Sequence, residues 1–338
     1  MTNNKVKVGI VGLGYAGKIH LEILSSLKNV CVLAVSDRDQ KLTRQIAIQY
    51  NATPCFDFDS LLSSGIEVLY VCTPNAYHAQ QTLGAIASGI HVFSEKPMAL
   101  NLNDARRITM ALNEKNNIKY SVGFNRRFSP VYRIAHELLR TEKIEPYVSC
   151  VKSVRGGSFV PPWVVDAEIS GGFLYDSLVH VVDLIEYLLG SIDTVYCVSN
   201  SKVYKGVMDE FVCIFSLSEG NICSLVATCH ATWSYPWERF EIIGKHSCLS
   251  IEETNTIRYS LGLNKKDKEY NYSHLSNLVK AGYEYQDKSF VRWILGTKTH
   301  DVDQNVGLRS LQILEAMSCS ATRREPIEVK HISKNPSD

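Results

Sequence analysis

The chain has 338 residues, 45% of them hydrophobic and 21% charged, with 36 basic and 35 acidic side chains and a net charge of +1. That length allows two domains and a sizeable core, and the even charge balance points to neither nucleic acid nor an anionic membrane as a partner. No apolar run reaches 18 residues and the N-terminus carries no signal-type apolar region, so a cytoplasmic location is expected. The ten cysteines form no CxxC pair and several lie in apolar runs, which predicts buried, reduced thiols and no metal site.

Val6, Val8, Ile10 and Val11 read as a strand that runs into Gly12-Leu13-Gly14-Tyr15-Ala16-Gly17. Ile19, Leu21, Ile23, Leu24 and Leu27 then continue at helical spacing. Strand, glycine turn and helix together form a diphosphate cradle. Gly12 permits the tight turn, Gly14 the close approach of backbone to ligand, and Gly17 the packing of helix on strand. The helix N-terminus offers its N–H groups and positive dipole end to the anion. A second strand, Val30 to Val35, leads to Asp37, 25 positions after Gly12, near the spacing of about 20 at which an acid binds ribose hydroxyls. Asp37 could instead end the strand or cap the helix that begins near Gln40. Its charge favours NAD, whereas Arg38 could accept the 2′-phosphate of NADP; both cofactors stay open.

Strand and helix signals alternate through residue 123. A helix spans Gln40–Tyr50, broken by Asn51-Ala52-Thr53-Pro54, and a short one covers residues 57–64. A buried strand, Glu67–Cys72, ends at Thr73-Pro74-Asn75. A helix over His78–Ser88 stops at Gly89, the strand His91–Ser94 meets Glu95-Lys96-Pro97, and a helix over Leu102–Glu114 precedes the strand Lys119–Gly123. Repeated βα units predict a doubly wound parallel sheet with helices on both faces. Ligands bind at the carboxyl ends of such strands. The glycine turn, Asp37, Thr73-Pro74-Asn75, Glu95-Lys96-Pro97 and Asn125-Arg126-Arg127 all fall there.

From about residue 145 the texture changes. Pro146–Arg155, Thr194–Ser201, Glu210–Ser218 and Asn221–His230 read as strands, with a hairpin turn at Ser218-Glu219-Gly220-Asn221. Residues 239–251 add one or two strands around a turn at Gly244-Lys245, residues 263–275 read as a polar surface loop, and Asn305–Thr322 returns to helical spacing. The expected architecture is α/β: a dinucleotide-binding domain over 1–124, and a substrate and oligomerisation domain over 125–338 with an open, mainly antiparallel sheet.

Gly171 to His180 opens a helix that runs to Leu189 and stops at Gly190. At 100° per residue, Leu178, Val181, Val182, Ile185, Leu188 and Leu189 form one stripe, and Asp176, His180, Asp183 and Tyr187 the opposite one. Asp176 and His180 are i,i+4 neighbours able to face one target. An Asp/His metal site finds no third ligand at suitable spacing. An Asp near a helix N-terminus can also act simply as a cap.

Together these residues resemble the Gfo/Idh/MocA oxidoreductases, the glucose-fructose oxidoreductase and inositol dehydrogenase group, over about residues 5–330. The resemblance rests on Gly12-Leu13-Gly14-Tyr15-Ala16-Gly17 with His20, Cys72-Thr73-Pro74-Asn75 with His78, and Glu95-Lys96-Pro97. It extends to Gly123-Phe124-Asn125-Arg126-Arg127-Phe128 and to Gly171-Gly172 with Asp176, His180 and Asp183. It implies a Rossmann domain followed by an α/β domain whose open sheet often forms an oligomer interface, here a homodimer or homotetramer. It also implies NAD(P)-dependent oxidation of a secondary hydroxyl on a sugar or polyol, or the reverse, with Lys96, Asp176 and His180 as the catalytic group.

On that reading His180 is the general base, Asp176 shares the proton across a neighbouring hydroxyl, and Lys96 steadies charge on the reacting oxygen. The site would lie in the cleft between domains. Gly12, Gly14, Tyr15, Ala16, Asp37, Arg38, Thr73, Pro74, Asn75, His78, Glu95 and Lys96 would hold the cofactor. Asn125, Arg126, Arg127, Trp163 and Trp237 would join the catalytic group around the substrate; Asp166 and Tyr235 lie in similar loop-like stretches. Many members carry a small residue two before the histidine, where this chain has Leu178, which the helix pattern turns toward the core. Two alternatives are a lyase or glycosidase that oxidises its substrate transiently with tightly held NAD, and a non-catalytic NAD(P)-binding regulator.

Overall fold

The computed structural model describes residues 5–141, 143–156, 162–203 and 207–329. The chain divides into two compact units: residues up to Phe124 with Tyr283–Leu308, and Asn125–Gly282 with the residues from Arg309 onward.

The first unit alternates strand and helix: β1 Val6–Val11, α1 Tyr15–Ser26, β2 Val30–Ser36, α2 Gln40–Tyr50, β3 Thr53–Cys55, α3 Phe58–Leu62, β4 Val68–Val71, α4 His78–Ala87, β5 His91–Ser94, α5 Leu102–Glu114 and β6 Tyr120–Val122. All six strands are parallel, in the order β3-β2-β1-β4-β5-β6. This is the doubly wound dinucleotide-binding order, with its switch point between β1 and β4. β4 is a continuous apolar run, β1 nearly one, and β5 is buried from Val92 to Ser94, as strands covered on both faces require. Short polar residues set the helix ends. Asp39 caps α2 by accepting from Lys41 and Leu42 N–H at 2.9 and 3.1 Å, and Asn51 closes it in the left-handed region at φ 52°. The capping role open to Asp37 therefore belongs to Asp39. β3 lies where only a break was expected. It is an edge strand, and there Pro54 is tolerated.

The second unit contains α6 Pro130–Arg140, β7 Pro146–Gly156, α7 Ala167–Ser170, α8 Val179–Leu189, β8 Ile192–Asn200, β9 Glu210–Leu217, β10 Ile222–Ala231, β11 Glu238–Gly244, β12 Ser247–Glu252, β13 Thr256–Leu261, β14 Lys268–Asn271 and α9 Asn277–Lys280. After α10, Tyr283–Ile294, come α11, Gln304–Arg323, and β15, Ile327–Glu328. The nine strands run β14-β13-β12-β11-β7-β10-β9-β8-β15. Among the described strands of this sheet only β7 and β10 pair in parallel; the rest are antiparallel. One face carries the buried alternate residues (Val195, Cys197, Phe211, Cys213, Phe215, Leu225, Phe240, Ile242) and the other is exposed.

Three expectations need correction. The polar stretch 263–275 contains β14, which pairs with β13 from Thr256↔Asn271 to Tyr259↔Lys268. Its four residues are all exposed, so an outermost strand held by backbone bonds leaves no apolar signal to read. Tyr283–Leu308 belongs with the first unit, not the second, because Phe290 and Val291 of α10 pack into the same core cluster as Val8, Ile10, Tyr70 and Phe93. The segment before α8 is no regular α-helix. Gly171 ends α7 at φ 78°, and Leu174–Leu178 form a π-turn that leads into α8. The ten cysteines are all free. Cys150 and Cys248 are exposed, however, because both lie on the open sheet face.

Candidate active site

In the first unit the strand ends lie in one row. Ser36, Val11, Val71, Ser94 and Val122 are register partners across β2, β1, β4, β5 and β6. The residues that follow them, Asp37, Gly12, Cys72-Thr73 and Glu95-Lys96, therefore emerge along one carboxyl edge. At the cradle, a Cβ on Gly12 (φ +88°) would lie 2.5 Å from the Cys72 carbonyl carbon and oxygen, and one on Gly17 would collide with Gly12 O. A Cβ on Gly14 meets nothing within 4 Å. Gly14 is also the N-cap of α1, makes no side-chain cap bond, and precedes a first turn without acidic residues. Tyr15 is exposed beside it, with Ala16 packed inward. Two glycines are thus required by packing, while the third faces open space at a helix N-terminus, as a diphosphate site demands. The Asp37 carboxylate accepts from Leu13 N–H at 2.7 Å and from Asp39 N–H at 2.9 Å, which fixes it against the glycine turn. Arg38 is exposed next to it.

Thr73 and Pro74 are half-buried at the end of β4, and Thr73 donates to Gln81 Oε1 at 2.6 Å. Asn75 is buried. His78 is buried as well, with Nδ1 2.8 Å from Pro97 O and Nε2 2.7 Å from Thr73 O. Burial lowers its pKa against the pull of these carbonyls. His78 thus lies between the Thr73 and Pro97 turns, within hydrogen-bond distance of a carbonyl of each. Glu95 is equally withdrawn: Oε1 lies 3.1 Å from His20 Nε2, and Oε2 accepts from Lys96 N–H at 3.2 Å. The Lys96–Pro97 peptide is cis, and Lys96 is half-buried on the edge.

In the second unit α8 is buried almost all round. His180 is 8% and Asp183 2% exposed, while Leu178 is wholly buried, as its helix face predicts. Asp183 is clamped by Arg127, whose Nε lies 2.9 and 3.0 Å from the two carboxylate oxygens and whose Nη2 lies 2.7 Å from Oδ1. Burial raises the Asp183 pKa against the lowering effect of that guanidinium. Arg126 is paired with the fully buried Glu238, which also accepts from Tyr132 OH at 2.6 Å. Asn125 donates to Ala281 O at 2.8 Å. Each of the three polar residues after β6 therefore has an internal partner.

Trp237 carries Arg126 and Arg155 at 4.9 and 5.1 Å from its ring centroid, so at least one face of the indole is occupied by a cation. Arg155 Nη1 reaches Ser177 Oγ at 3.4 Å, beside the half-buried Asp176. Trp163 is half-buried, Asp166 caps α7, and Tyr235 is exposed and bonds Lys152 Nζ at 3.2 Å. Sequence reasoning missed Arg155, Ser177 and Glu238. Each sits in an ordinary strand or turn context, and only its spatial neighbours mark it.

Among the described residues no cluster of His, Cys, Asp and Glu could hold a metal, and no helix is long and apolar enough to cross a membrane. A doubly wound dinucleotide cradle, followed by a unit with a large open sheet and a buried Asp/His helix, defines a nicotinamide-linked oxidoreductase. Residues 6–124 match the model described as "Oxidoreductase family, NAD-binding Rossmann fold", and residues 132–250 match the GFO/IDH/MocA C-terminal domain. The chain belongs to the Gfo/Idh/MocA family of NAD(P)-dependent oxidoreductases.

It is 24% identical to the glucose-6-phosphate 3-dehydrogenase of Bacillus subtilis (strain 168), over 97% of this chain and 99% of the relative. It is 22% identical to the myo-inositol 2-dehydrogenase of Thermotoga maritima, over 97% and 99%. A levoglucosan dehydrogenase solved with NADH and levoglucosan shares the fold at a TM-score of 0.90 and 20% identity, over 97% of this chain and all of that one.

Proposed function

We propose that this protein is an NAD-dependent dehydrogenase of a ring secondary hydroxyl in a sugar, sugar derivative or cyclic polyol. The observation that carries the reading is the single row of strand ends, which sets Lys96 on the same edge as the glycine cradle and Asp37. The full-length similarity to dehydrogenases of glucose 6-phosphate and myo-inositol supports the substrate class. Gly12, Gly14 and the α1 N-terminus would hold the diphosphate, Asp37 the adenosine ribose hydroxyls, and Thr73, Pro74 and Asn75 the nicotinamide side. The fixed negative charge of Asp37 favours NAD over NADP. The nicotinamide supplies the hydride acceptor.

The chain's own residues manage the proton. Lys96, as ammonium, donates to the reacting oxygen, His180 takes the hydroxyl proton, and Asp176 holds the neighbouring hydroxyl. Purified protein with NAD+ and a panel of myo-inositol, D-glucose 6-phosphate and methyl glucosides should show absorbance growing at 340 nm. Lys96→Ala and His180→Ala should each lower kcat by ~10²-fold or more. Unchanged kcat in either variant removes that residue from the mechanism. Product formed with no net NADH, from protein isolated with bound cofactor, would establish the transient-oxidation lyase instead.

The open sheet face supports a homo-oligomer. Val198, Val212 and Val226 form one exposed cross-strand row, and Ile222, Val148 and Ile243 another. Apolar rows of that extent on a sheet mark an association surface. Light scattering should give a dimer or tetramer, and Val212→Asp with Val226→Asp should shift it toward monomer. The unbonded cysteines support a cytoplasmic location.

A further inference from the structure

His20 lies on α1, fully buried, and each of its ring nitrogens faces a carboxylate. Nδ1 is 2.8 and 3.0 Å from the Asp287 oxygens, and Nε2 is 3.1 Å from Glu95 Oε1. Between two ionised carboxylates, which only accept, both nitrogens donate and the ring is an imidazolium; burial raises the Asp287 pKa against the lowering pull of His20. Burial opposes that charge, but Asp287 and then Glu95 overcome it and lift the His20 pKa to about 10. The ring is boxed by Tyr70, Phe93 and Tyr283, with centroids at 5.2, 5.0 and 6.1 Å. The bonded line does not end at Glu95, whose second oxygen accepts from the Lys96 main-chain N–H at 3.2 Å. Room for the carboxylate is kept by Gly123, where a Cβ would lie 2.9 Å from Glu95 Oε1.

Three ionisable groups in an apolar box are a poor way to gain stability, since well-packed apolar side chains of similar volume often hold such a position as well or better. What they add here is a directed, bonded connection between three elements far apart in sequence: the cradle helix α1, helix α10, and the turn after β5. We propose that His20 and Asp287 are positioning residues that fix the Glu95 carboxylate and, through it, the backbone turn that presents Lys96. The inference rests on the proposed role of Lys96 at the reacting oxygen.

Two measurements test it. The first needs no turnover. In folded His20→Gln, hydrogen exchange of the Lys96 amide should quicken at least ~10-fold while the amides of Val92 to Ser94 keep their rates. Asp287→Asn, which retains a hydrogen-bond acceptor, should give a smaller rise and serves the same purpose if His20→Gln fails to fold. An unchanged Lys96 amide in the folded variant overturns the proposal.

The second is a double-mutant cycle on myo-inositol or D-glucose 6-phosphate oxidation, whichever turns over faster. His20→Gln should lower kcat by ~10- to 100-fold with KM within threefold, and should add no further loss in a Lys96→Ala background. An equal loss in both backgrounds means His20 acts by general stability alone and overturns the proposal. If Lys96→Ala by itself leaves kcat unchanged, the role assigned to Lys96 fails, whereas the exchange result still decides whether His20 holds the turn.

Discussion

Arg127 grips Asp183 with a two-pronged fork, three N···O distances between 2.7 and 3.0 Å, deep in the second unit. Arg127 reads from the sequence as a substrate contact and Asp183 as part of the polar stripe with His180, and each satisfies the other. Removing one partner of a buried ion pair strands the remaining charge, so Arg127→Ala should cost ~3–5 kcal/mol of stability. Urea unfolding followed by circular dichroism measures this. A loss below ~1 kcal/mol would show that the pair is solvated and open to a ligand.

The cradle glycines should separate folding from binding. Gly12→Ala must place a side chain at positive φ and against the Cys72 backbone, so it should lower the melting temperature sharply or prevent folding. Gly14→Ala meets no protein atom within 4 Å and should leave stability within ~0.5 kcal/mol of wild type. Its methyl group would intrude where the diphosphate approaches, so the NADH dissociation constant should rise at least ~10-fold, about 1.4 kcal/mol. Fluorescence titration of NADH decides between this and a merely structural Gly14.

Asp37 is anchored by two backbone N–H groups, and the proposed function gives it the choice of cofactor. Asp37→Ser, with Arg38 retained beside it, should weaken NADH by ~10-fold or more and shift the NADH-to-NADPH preference by ~100-fold toward NADPH. Competitive binding of the two cofactors measures the ratio. A preference for NADPH in the wild-type protein would reverse the role given to Asp37.

His20 gives the first unit a pH signature. Its folded pKa, about 10, stands above the ordinary 6.5, so the stabilisation it brings is complete below about pH 6.5 and is lost as pH rises through about 10. Asp287 and Glu95 face it directly, and Tyr70 and Cys72, both held well above their usual ranges by burial, sit in the same carboxylate field. Between pH 7 and 10 the melting temperature of the wild type should therefore fall at least ~3 °C further than that of His20→Gln. Parallel slopes for the two proteins would mean that His20 is neutral in the fold.

The doubly wound unit was legible because its signals are local. Alternating apolar runs, Gly12 and Gly17 at a strand–helix turn, and stop residues such as Asn51 and Gly89 act over a few positions, and each is sufficient in its own segment. The open sheet was legible from β7 to β12, where burial alternates; β13 went unread although its burial also alternates, and β14, at an exposed edge position, needs no apolar residue. The candidate site was legible only as a set of residue types. Lys96, Asp176 and His180 stand out by motif, but whether a neighbouring arginine is free or committed depends on Asp183 and Glu238, which lie 56 and 112 residues away from Arg127 and Arg126.

By itself, the sequence determined most of the alternating elements of the doubly wound unit, the glycine cradle and the acid that follows β2, because periodicity and backbone sterics operate at short range. Only the tertiary structure decided that α10 returns to the first unit, that His20 sits between Glu95 and Asp287, 267 residues away, and that the arginines after β6 pair with buried carboxylates. Those outcomes follow from desolvation. A buried charge must find its counter-charge wherever the fold supplies one, and sequence distance places no limit on where that is.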